Sequence, residues 1–120
     1  MGRVAATLAS IDEANGRDPN LETTADGPAP AALLYGRRMS EVLQDFDPSA
    51  SDELKIAARG QHIERWKRPR ADYPEGRIGY LTWRRDAAQC HAARVSALMQ
   101  EAGYDDPACD RVSELLLKKN

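Results

Sequence analysis

The fold is decided by the stretch AARGQHIERWKRPRADYPEGRIGYLTWRRDAAQCH, residues 57–91. Pro69 and Pro74 interrupt two helical patterns in it, so the stretch predicts a helix, a loop and a second helix. Residues 59–85 hold eight of the seventeen Lys/Arg residues but three of the nineteen Asp/Glu residues. Both tryptophans and both histidines also lie in this stretch. We therefore expect the polar chemistry of the protein to be concentrated here.

Hydrophobic spacing predicts helices in the rest of the chain as well. Val4, Leu8 and Ile11 recur at helical intervals, and no segment alternates usefully with the period of two that indicates a strand. The predicted helices lie at about 3–15, 31–45, 51–66, 78–102 and from 106 onward, with loops at about 16–30 and 67–76. We expect the 120 residues to form a single all-α domain of about five helices.

Two of these helices carry apolar stripes that identify the faces expected to pack. The stripe of the second helix is Tyr35, Met39, Val42, Leu43 and Phe46, and that of the third is Ile56, Gly60 and Ile63. His62 lies beside the stripe of the third helix, whereas His91 lies on the apolar face of the fourth.

The composition excludes several classes of protein. The hydrophobic and charged fractions, 42% and 30%, are typical of a globular domain, and the net charge is −2. No apolar run approaches the roughly 20 residues of a membrane span, and the N-terminus does not resemble a signal peptide. The two cysteines are isolated and form neither a zinc motif nor a disulfide framework. These features predict a cytoplasmic protein without membrane contact.

The two histidines are candidates for catalysis or for metal binding. Imidazole titrates near neutrality and is a common metal ligand, so His62 and His91 could act as acid or base or hold a divalent metal. The alternative is a core histidine whose nitrogens are satisfied by its neighbours. If helices three and four pack antiparallel, His91 lies about three turns beyond Tyr80, on the order of 17 Å away. This estimate argues against a simple two-histidine metal site and leaves the cofactor open.

The arginines and aromatic residues of the stretch form a candidate binding site. Arginine suits phosphate or carboxylate because its planar fork donates two parallel hydrogen bonds, and aromatic rings stack on bases. The candidate binding residues are Arg59, Arg65, Trp66, Arg68, Arg70, Tyr80, Trp83 and Arg84. The pattern favours an anionic small molecule or a nucleotide as the ligand. RNA remains an alternative partner, and so does a structural role in which the charges are solvated or paired and the rings are core.

Several enzyme motifs are absent from the sequence. It contains no phosphate-binding GxxxxGK[ST], no dinucleotide GxGxxG, no HExxH and no GxSxG. Whether the protein is an enzyme is therefore left open by its residues.

The chain resembles the bacterial and fungal domain-of-unknown-function family 4202. The segments that carry the resemblance are DPN (18–20), LLYGRRMSEVL (33–43), AARGQHIERWKRPRADYP (57–74), RIGYLTWRRD (77–86), His91, EAGY (101–104) and KKN (118–120). Some members are labelled glutamyl-tRNA synthetase, but this chain has neither HIGH-like nor KMSKS-like motifs. The resemblance implies a C-terminally truncated copy, because members usually continue past KKN. Self-association through that end is the corresponding expectation.

A more distant similarity is to the HD-type phosphohydrolases. The segment AARGQHIERW (57–66) is similar to the region around their His-Asp metal-binding pair. Ile63 stands where that Asp is expected, and Tyr35 stands where the first His of the motif is expected. The similarity implies an HD-like helical bundle with lost metal ligands, in which His62 and His91 remain as weak metal candidates.

Overall fold

The computed structural model describes residues 2–118. Its helices are α1 (Arg3–Asn15), α2 (Ala31–Phe46), α3 (Asp52–Arg59), α4 (Arg77–Glu101) and α5 (Asp106–Lys118). Two strands, β1 (Leu21–Thr24) and β2 (Gly27–Pro30), and two short 3₁₀ turns complete the described elements. The predicted all-α fold is confirmed, with the small hairpin as an addition. None of the described helices is long and apolar enough to cross a membrane.

The hairpin lies in the segment that we predicted to be a loop, residues 16–30. Its strands pair antiparallel, with Leu21 opposite Pro30 and Thr24 opposite Gly27. The Thr24 hydroxyl donates to the Gly27 carbonyl at 2.6 Å, and Gly27 adopts a φ of 104°. The prediction was wrong here because each strand has four residues and β2 contains two prolines. So short a strand shows no alternation that a sequence pattern could reveal.

The core is formed by α1, α3, α4 and α5. Its fully buried side chains include Ile11, Ile56, Ile63, Val95, Met99 and Val112. The predicted stripe of the third helix is therefore confirmed. That of α2 is not, since Val42 is 59% exposed and Phe46 is 88% exposed. The small residues Ala32 and Gly36 are buried on α2 instead.

The third helix ends seven residues earlier than predicted, at Arg59 rather than at about residue 66. Ser51 caps its start, since the Ser51 hydroxyl accepts from the Leu54 amide at 3.2 Å. Beyond Arg59 the chain turns at Gly60, where a Cβ atom would lie 2.7 Å from Cγ2 of Val95. This close approach to α4 requires a residue without a side chain.

Glu64 completes the turn in a left-handed conformation, with a φ of 54°. Few non-glycine residues adopt this conformation, and they do so where their surroundings hold them. The Glu64 amide donates to Oδ1 of Asn15 at 2.9 Å, and Oε1 of Glu64 accepts from Arg94 at 3.0 Å. The turn moves His62 off the helix face on which we had placed it.

The segment from 67 to 76 is irregular as predicted and is tied back to α4. The Arg68 guanidinium donates to the Tyr73 hydroxyl at 3.1 Å, and that hydroxyl donates to Asp86 at 2.9 Å. Arg70 donates to the carbonyls of Tyr73, Pro74 and Gly76 at 3.0 to 3.3 Å. The side chains of Arg68 and Arg70 therefore hold the conformation of this loop. The KKN ending, on which the expectation of self-association rests, extends outside the described residues.

Candidate functional site

The turn after α3 and the first half of α4 enclose a cavity of about 360 Å³, which we call the histidine cavity. Its lining residues are Gln61, His62, Arg65, Tyr80, Trp83, Arg84, Ala87, Ala88, His91 and Leu116. The volume lies within the range of small-molecule sites, and the lining combines apolar and aromatic side chains with a few polar groups, as such sites do.

The two histidines meet at this cavity. Their ring centroids are 6.1 Å apart. Our expectation that they lie too far apart for a shared site was wrong. It assumed a straight third helix continuing to residue 66, whereas the turn at residues 60–64 carries His62 across to the middle of α4.

His62 is fixed by stacking and remains neutral. Its ring lies parallel to that of Tyr35, with centroids 4.2 Å apart and planes 9° apart. An Arg65 nitrogen lies 3.4 Å from Nδ1 of His62. Burial lowers the pKa of His62 to about 4, and the positive charges of Arg65 and Arg84 act in the same direction. The imidazole is therefore uncharged at pH 7.

His91 is also neutral and has one nitrogen without a protein partner. The side chain is 8% exposed, and burial lowers its pKa to about 4 although a backbone hydrogen bond with Ile63 opposes the shift. Nδ1 of His91 is buried and has no hydrogen-bond partner among the described residues.

Three arginines lie over aromatic rings that line the cavity, with Arg70 at 6.0 Å from the Tyr80 ring centroid. The Arg65 guanidinium is 5.5 Å from the Trp83 ring centroid, and that of Arg84 is 5.7 Å from the Tyr80 centroid. The Tyr80 and Trp83 rings are 5.9 Å apart and tilted by 44°. This spacing and tilt favour attraction between the rings, and the arginine faces add cation–π contacts.

The other candidate arginines lie elsewhere. Arg59 does not line the histidine cavity: its guanidinium contacts both carboxylate oxygens of Asp12 at 2.6 and 2.7 Å and Ser40 at 2.7 Å. Trp66, Arg68 and Arg70 line a second cavity of about 690 Å³ between the hairpin, α2 and the 65–70 segment. The two cavities adjoin, because His62, Arg65 and Trp83 line both.

Sequence reasoning missed several residues that shape the histidine cavity. Gln61 contributes an amide whose Oε1 accepts from the Tyr35 hydroxyl at 2.8 Å, and Leu116 of α5 closes one side. Glu64 holds the conformation of the turn at residues 60–64, but it does not line the cavity. The one available signal was the position of Gln61 and Glu64 beside His62 in the sequence. Leu116 is 54 positions from His62 and gave none.

The described residues contain no cluster of three or more His, Cys, Asp or Glu side chains that could hold a metal ion. His62 and His91 are accompanied by Arg65 and Arg84, whose charges oppose a divalent cation. The chemistry of the cavity thus suits an anion with an aromatic or apolar portion better than a metal ion.

Comparison with known proteins gives a family and no function. No curated protein and no solved structure matches the chain significantly. The model of one family, described as Domain of unknown function (DUF4202), matches residues 5–120. A match over nearly the whole chain shows that this protein belongs to the DUF4202 family.

Proposed function

We propose that the histidine cavity binds a small phosphorylated ligand. The observation that carries the proposal is the convergence of Arg65 and Arg84 with Tyr80 and Trp83 on one concave surface. Guanidinium groups recognise phosphate through paired hydrogen bonds, and aromatic faces accept the organic portion of such a ligand.

The electrostatics of the cavity support an anionic ligand. Arg65 and Arg84 both depress the pKa of His62, so their charges are felt inside the cavity and not only in bulk solvent. The two imidazoles are neutral at pH 7, so they neither attract nor repel an anion by net charge. An anion entering this space meets the positive charges of Arg65 and Arg84 in partly desolvated surroundings, where the attraction exceeds that in water.

Hydrolysis is not part of the proposal. The HD-type similarity would require a metal centre, and the residues at the expected ligand positions do not fit one. Ile63, at the position of the motif's Asp, is 2% exposed in the core, and Tyr35 lies stacked against His62. Ligand binding with a degenerate HD-like ancestry agrees with these residues, whereas a metal-dependent reaction does not.

A small ligand is favoured over RNA by the partners of two arginines. Arg68 and Arg70 would be central to a nucleic-acid surface, but both donate hydrogen bonds within the 67–76 loop or to α4. A phosphate backbone would have to compete with those bonds. An RNA interface remains an outcome that the test below can reveal.

Isothermal titration calorimetry tests the proposal with inorganic pyrophosphate, ribose 5-phosphate and the four nucleoside monophosphates. We expect at least one to bind at sub-millimolar concentration, and Arg65→Ala and Arg84→Ala each to weaken it about tenfold. Arg85→Ala is the matched control, since Arg85 adjoins Arg84 but does not line the cavity. It should leave the affinity unchanged.

Two outcomes would contradict the proposal. One is the absence of binding by all of these ligands at millimolar concentration. The other is a loss on Arg85→Ala equal to that on Arg84→Ala, which would indicate general charge attraction. Tight, steeply salt-dependent binding of a single-stranded RNA, lost on joint substitution of Arg68, Arg70 and Arg84 by alanine, would support the RNA alternative.

A further inference from the structure

The second cavity, of about 690 Å³, adjoins the histidine cavity and has a different lining. Its aromatic and apolar lining residues include Pro19, Ala32, Tyr35, Trp66, Pro69 and Trp83. We propose that this cavity is a second subsite, in which a planar aromatic ring joined to the phosphate of the ligand packs against Trp66. The inference rests on the proposed function and specifies the organic portion of the ligand.

The two cavities differ in the charged side chains of their lining, which assigns one end of the ligand to each. The histidine cavity is lined by Arg65 and Arg84 and by no Asp or Glu side chain of the described residues. The second cavity includes the carboxylates of Asp18 and Glu22. Because carboxylates repel a phosphate, the favoured place for the phosphate is the histidine cavity. The uncharged portion of the ligand is then assigned to the second cavity.

The arginines of the second cavity do not make it a phosphate site. Arg68 donates to the Tyr73 hydroxyl and to Sγ of Cys90, and Arg70 donates to three backbone carbonyls. These bonds engage the terminal nitrogens of both guanidinium groups. Arg65 is the exception, because it lines both cavities. It therefore places its positive charge at the boundary between them.

Trp66 lies next to that boundary. It follows Arg65 in a 3₁₀ turn, Arg65–Lys67, and consecutive Cα atoms are about 3.8 Å apart. Arg70 gives a second link, because it lines the second cavity and its guanidinium lies 6.0 Å from the ring centroid of Tyr80, which lines the histidine cavity. The residues assigned to the phosphate and to the ring are therefore neighbours in the chain and in the lining.

Trp66 differs from Trp83 in how its ring is engaged within the fold. Trp83 donates from Nε1 to the Arg68 carbonyl at 2.8 Å, and its ring centroid lies 5.9 Å from that of Tyr80. The Trp66 ring has no stacking or cation–π contact with another side chain of residues 2–118. The side chain is half-buried and lines the second cavity. Part of a large aromatic surface is therefore accessible there, and such surfaces favour stacking with a planar ring.

Other lining residues of the second cavity are held by contacts within the protein. The Tyr35 ring is stacked on His62, with centroids 4.2 Å apart. Both carboxylate oxygens of Asp18 accept from backbone amides, Oδ1 from Asn20 and Oδ2 from Ala32, at 2.9 Å each. These contacts fix part of the lining in the free protein, so less conformational entropy is lost when a ligand binds.

Nuclear magnetic resonance on the wild type tests where the ring lies. The chain has two tryptophans, so its ¹H–¹⁵N spectrum contains two indole N–H signals, which Trp66→Phe assigns. The probes are ribose 5-phosphate, which has no aromatic ring, phenyl phosphate, which has one, and the four nucleoside monophosphates. We expect at least one ring-bearing probe to bind and to shift the Trp66 signal. Ribose 5-phosphate should shift the Trp83 signal alone.

Calorimetry measures how much the contact with Trp66 contributes to affinity. Trp66→Ala should weaken the ring-bearing probe about tenfold, which is the order of effect expected when a stacking aromatic side chain is removed. It should leave the affinity for ribose 5-phosphate unchanged, and Trp66→Phe should retain most of the affinity because a ring remains. Phe46→Ala is the matched control, since Phe46 is an exposed aromatic residue that lines neither cavity. It should change neither affinity.

The possible results separate this inference from the proposed function. A bound ring-bearing probe that leaves the Trp66 signal unmoved overturns the second subsite and leaves phosphate binding intact. Ribose 5-phosphate binding as tightly as every ring-bearing probe has the same meaning, and so does an affinity that survives in Trp66→Ala. Failure of every probe to bind overturns both proposals. If Trp66→Ala does not fold, the signal shifts of the wild type decide the question.

The ring-bearing probes also distinguish two sources of the ring. Phenyl phosphate that binds as tightly as the best nucleotide and shifts the Trp66 signal supports the subsite with a simple aryl phosphate as its ligand. Tighter binding of a nucleotide that shifts the same signal supports the subsite with a nucleotide as its ligand.

Discussion

Arg65 and Arg84 differ from Arg59, Arg68 and Arg70 in what their guanidinium groups face. The first two line the histidine cavity, and the other three do not. Each of the other three donates hydrogen bonds to partners that join parts of the fold. All five belong to one basic stretch of sequence, and their residue type is identical.

The comparison shows that the arginine-rich stretch contains two groups of arginines with different contacts. Arg59 fixes α3 to α1 and α2 through Asp12 and Ser40, whereas Arg68 and Arg70 hold the 67–76 loop. We call these three arginines and their hydrogen-bond partners the frame, because they hold the segments on either side of the turn at 60–64. Arg65 and Arg84, in contrast, place their positive charges at the histidine cavity. The structural role and the proposed binding role can therefore be tested separately, residue by residue.

The largest effect on stability should follow from Arg59→Ala. The ion pair with Asp12 is 2.6 Å long, and the two side chains are 16% and 25% exposed. Removing Arg59 leaves a mostly buried carboxylate without its partner, which should cost about 3 kcal/mol of unfolding free energy. Urea denaturation followed by circular dichroism measures this change.

The matched control for Arg59 is Arg17→Ala, since Arg17 pairs with Glu13 on the same helix as Asp12 but is 66% exposed. It should change the unfolding free energy by less than about 0.5 kcal/mol. Equal effects of the two substitutions would mean that Arg59 is not part of the frame.

Acidification should produce the next largest loss of stability. It tests the surroundings of the two histidines that lie beside Arg65 and Arg84. Burial lowers the pKa of both histidines to about 4 in the folded chain, from the ordinary imidazole value of 6.5 that applies in the unfolded chain. The unfolded chain therefore binds more protons between pH 6.5 and pH 4. This contribution to stability is fully present above about pH 6.5 and is lost as the pH falls toward 4. With a discount for partial exposure, the loss from pH 7 to pH 5 should be roughly 2 kcal/mol.

Proton NMR measures the cause directly, because the chain contains two histidines and each gives its own pair of carbon-bound imidazole proton signals. Both should titrate near pH 4. A midpoint near 6.5 for either ring would show that it is solvated in the folded protein, and the cavity described above would then be open around it.

The sequence predicted the helical fold, because that fold depends on local patterns. The stripe Ile56, Gly60 and Ile63 follows from helical spacing and is buried as expected. Most residues that line the histidine cavity lie in the stretch 57–91, where Arg, Trp and His are concentrated. Such patterns are written into neighbouring residues and need no knowledge of tertiary packing.

The geometry of the site could not be predicted, because it depends on contacts between distant segments. The left-handed conformation of Glu64 is held by Asn15, 49 positions away, and by Arg94. The local sequence QHIERW does not indicate that turn, so the distance that we expected between the two histidines was too long. The same limit applies to Arg59, whose partner Asp12 is 47 positions away.

A smaller effect should follow from Tyr73→Phe, which weakens the frame without removing a charge. The hydroxyl accepts from Arg68 and donates to Asp86. Its loss leaves two partly buried charged groups without one partner each, which should cost about 1 kcal/mol. Tyr80→Phe is the control, since the Tyr80 ring is 42% exposed at the cavity. Thermal unfolding should show a lower Tm for the first variant alone, and equal Tm values would contradict the assignment of Tyr73 to the frame.

The smallest effect on stability should follow from Arg65→Ala, and this variant separates the two kinds of arginine most sharply. Arg65 is exposed, so the unfolding free energy should change by less than about 0.5 kcal/mol. The pKa of His62 should nevertheless rise, because the charge of Arg65 is the largest cause of its depression after burial. The rise should be less than about one unit, since burial remains. NMR titration of the variant measures it, and Arg85→Ala should leave the same signal unmoved. A lowered stability with an unchanged His62 midpoint would place Arg65 with the frame arginines instead. Only a residue whose charge reaches the cavity interior can move that midpoint without loosening the fold.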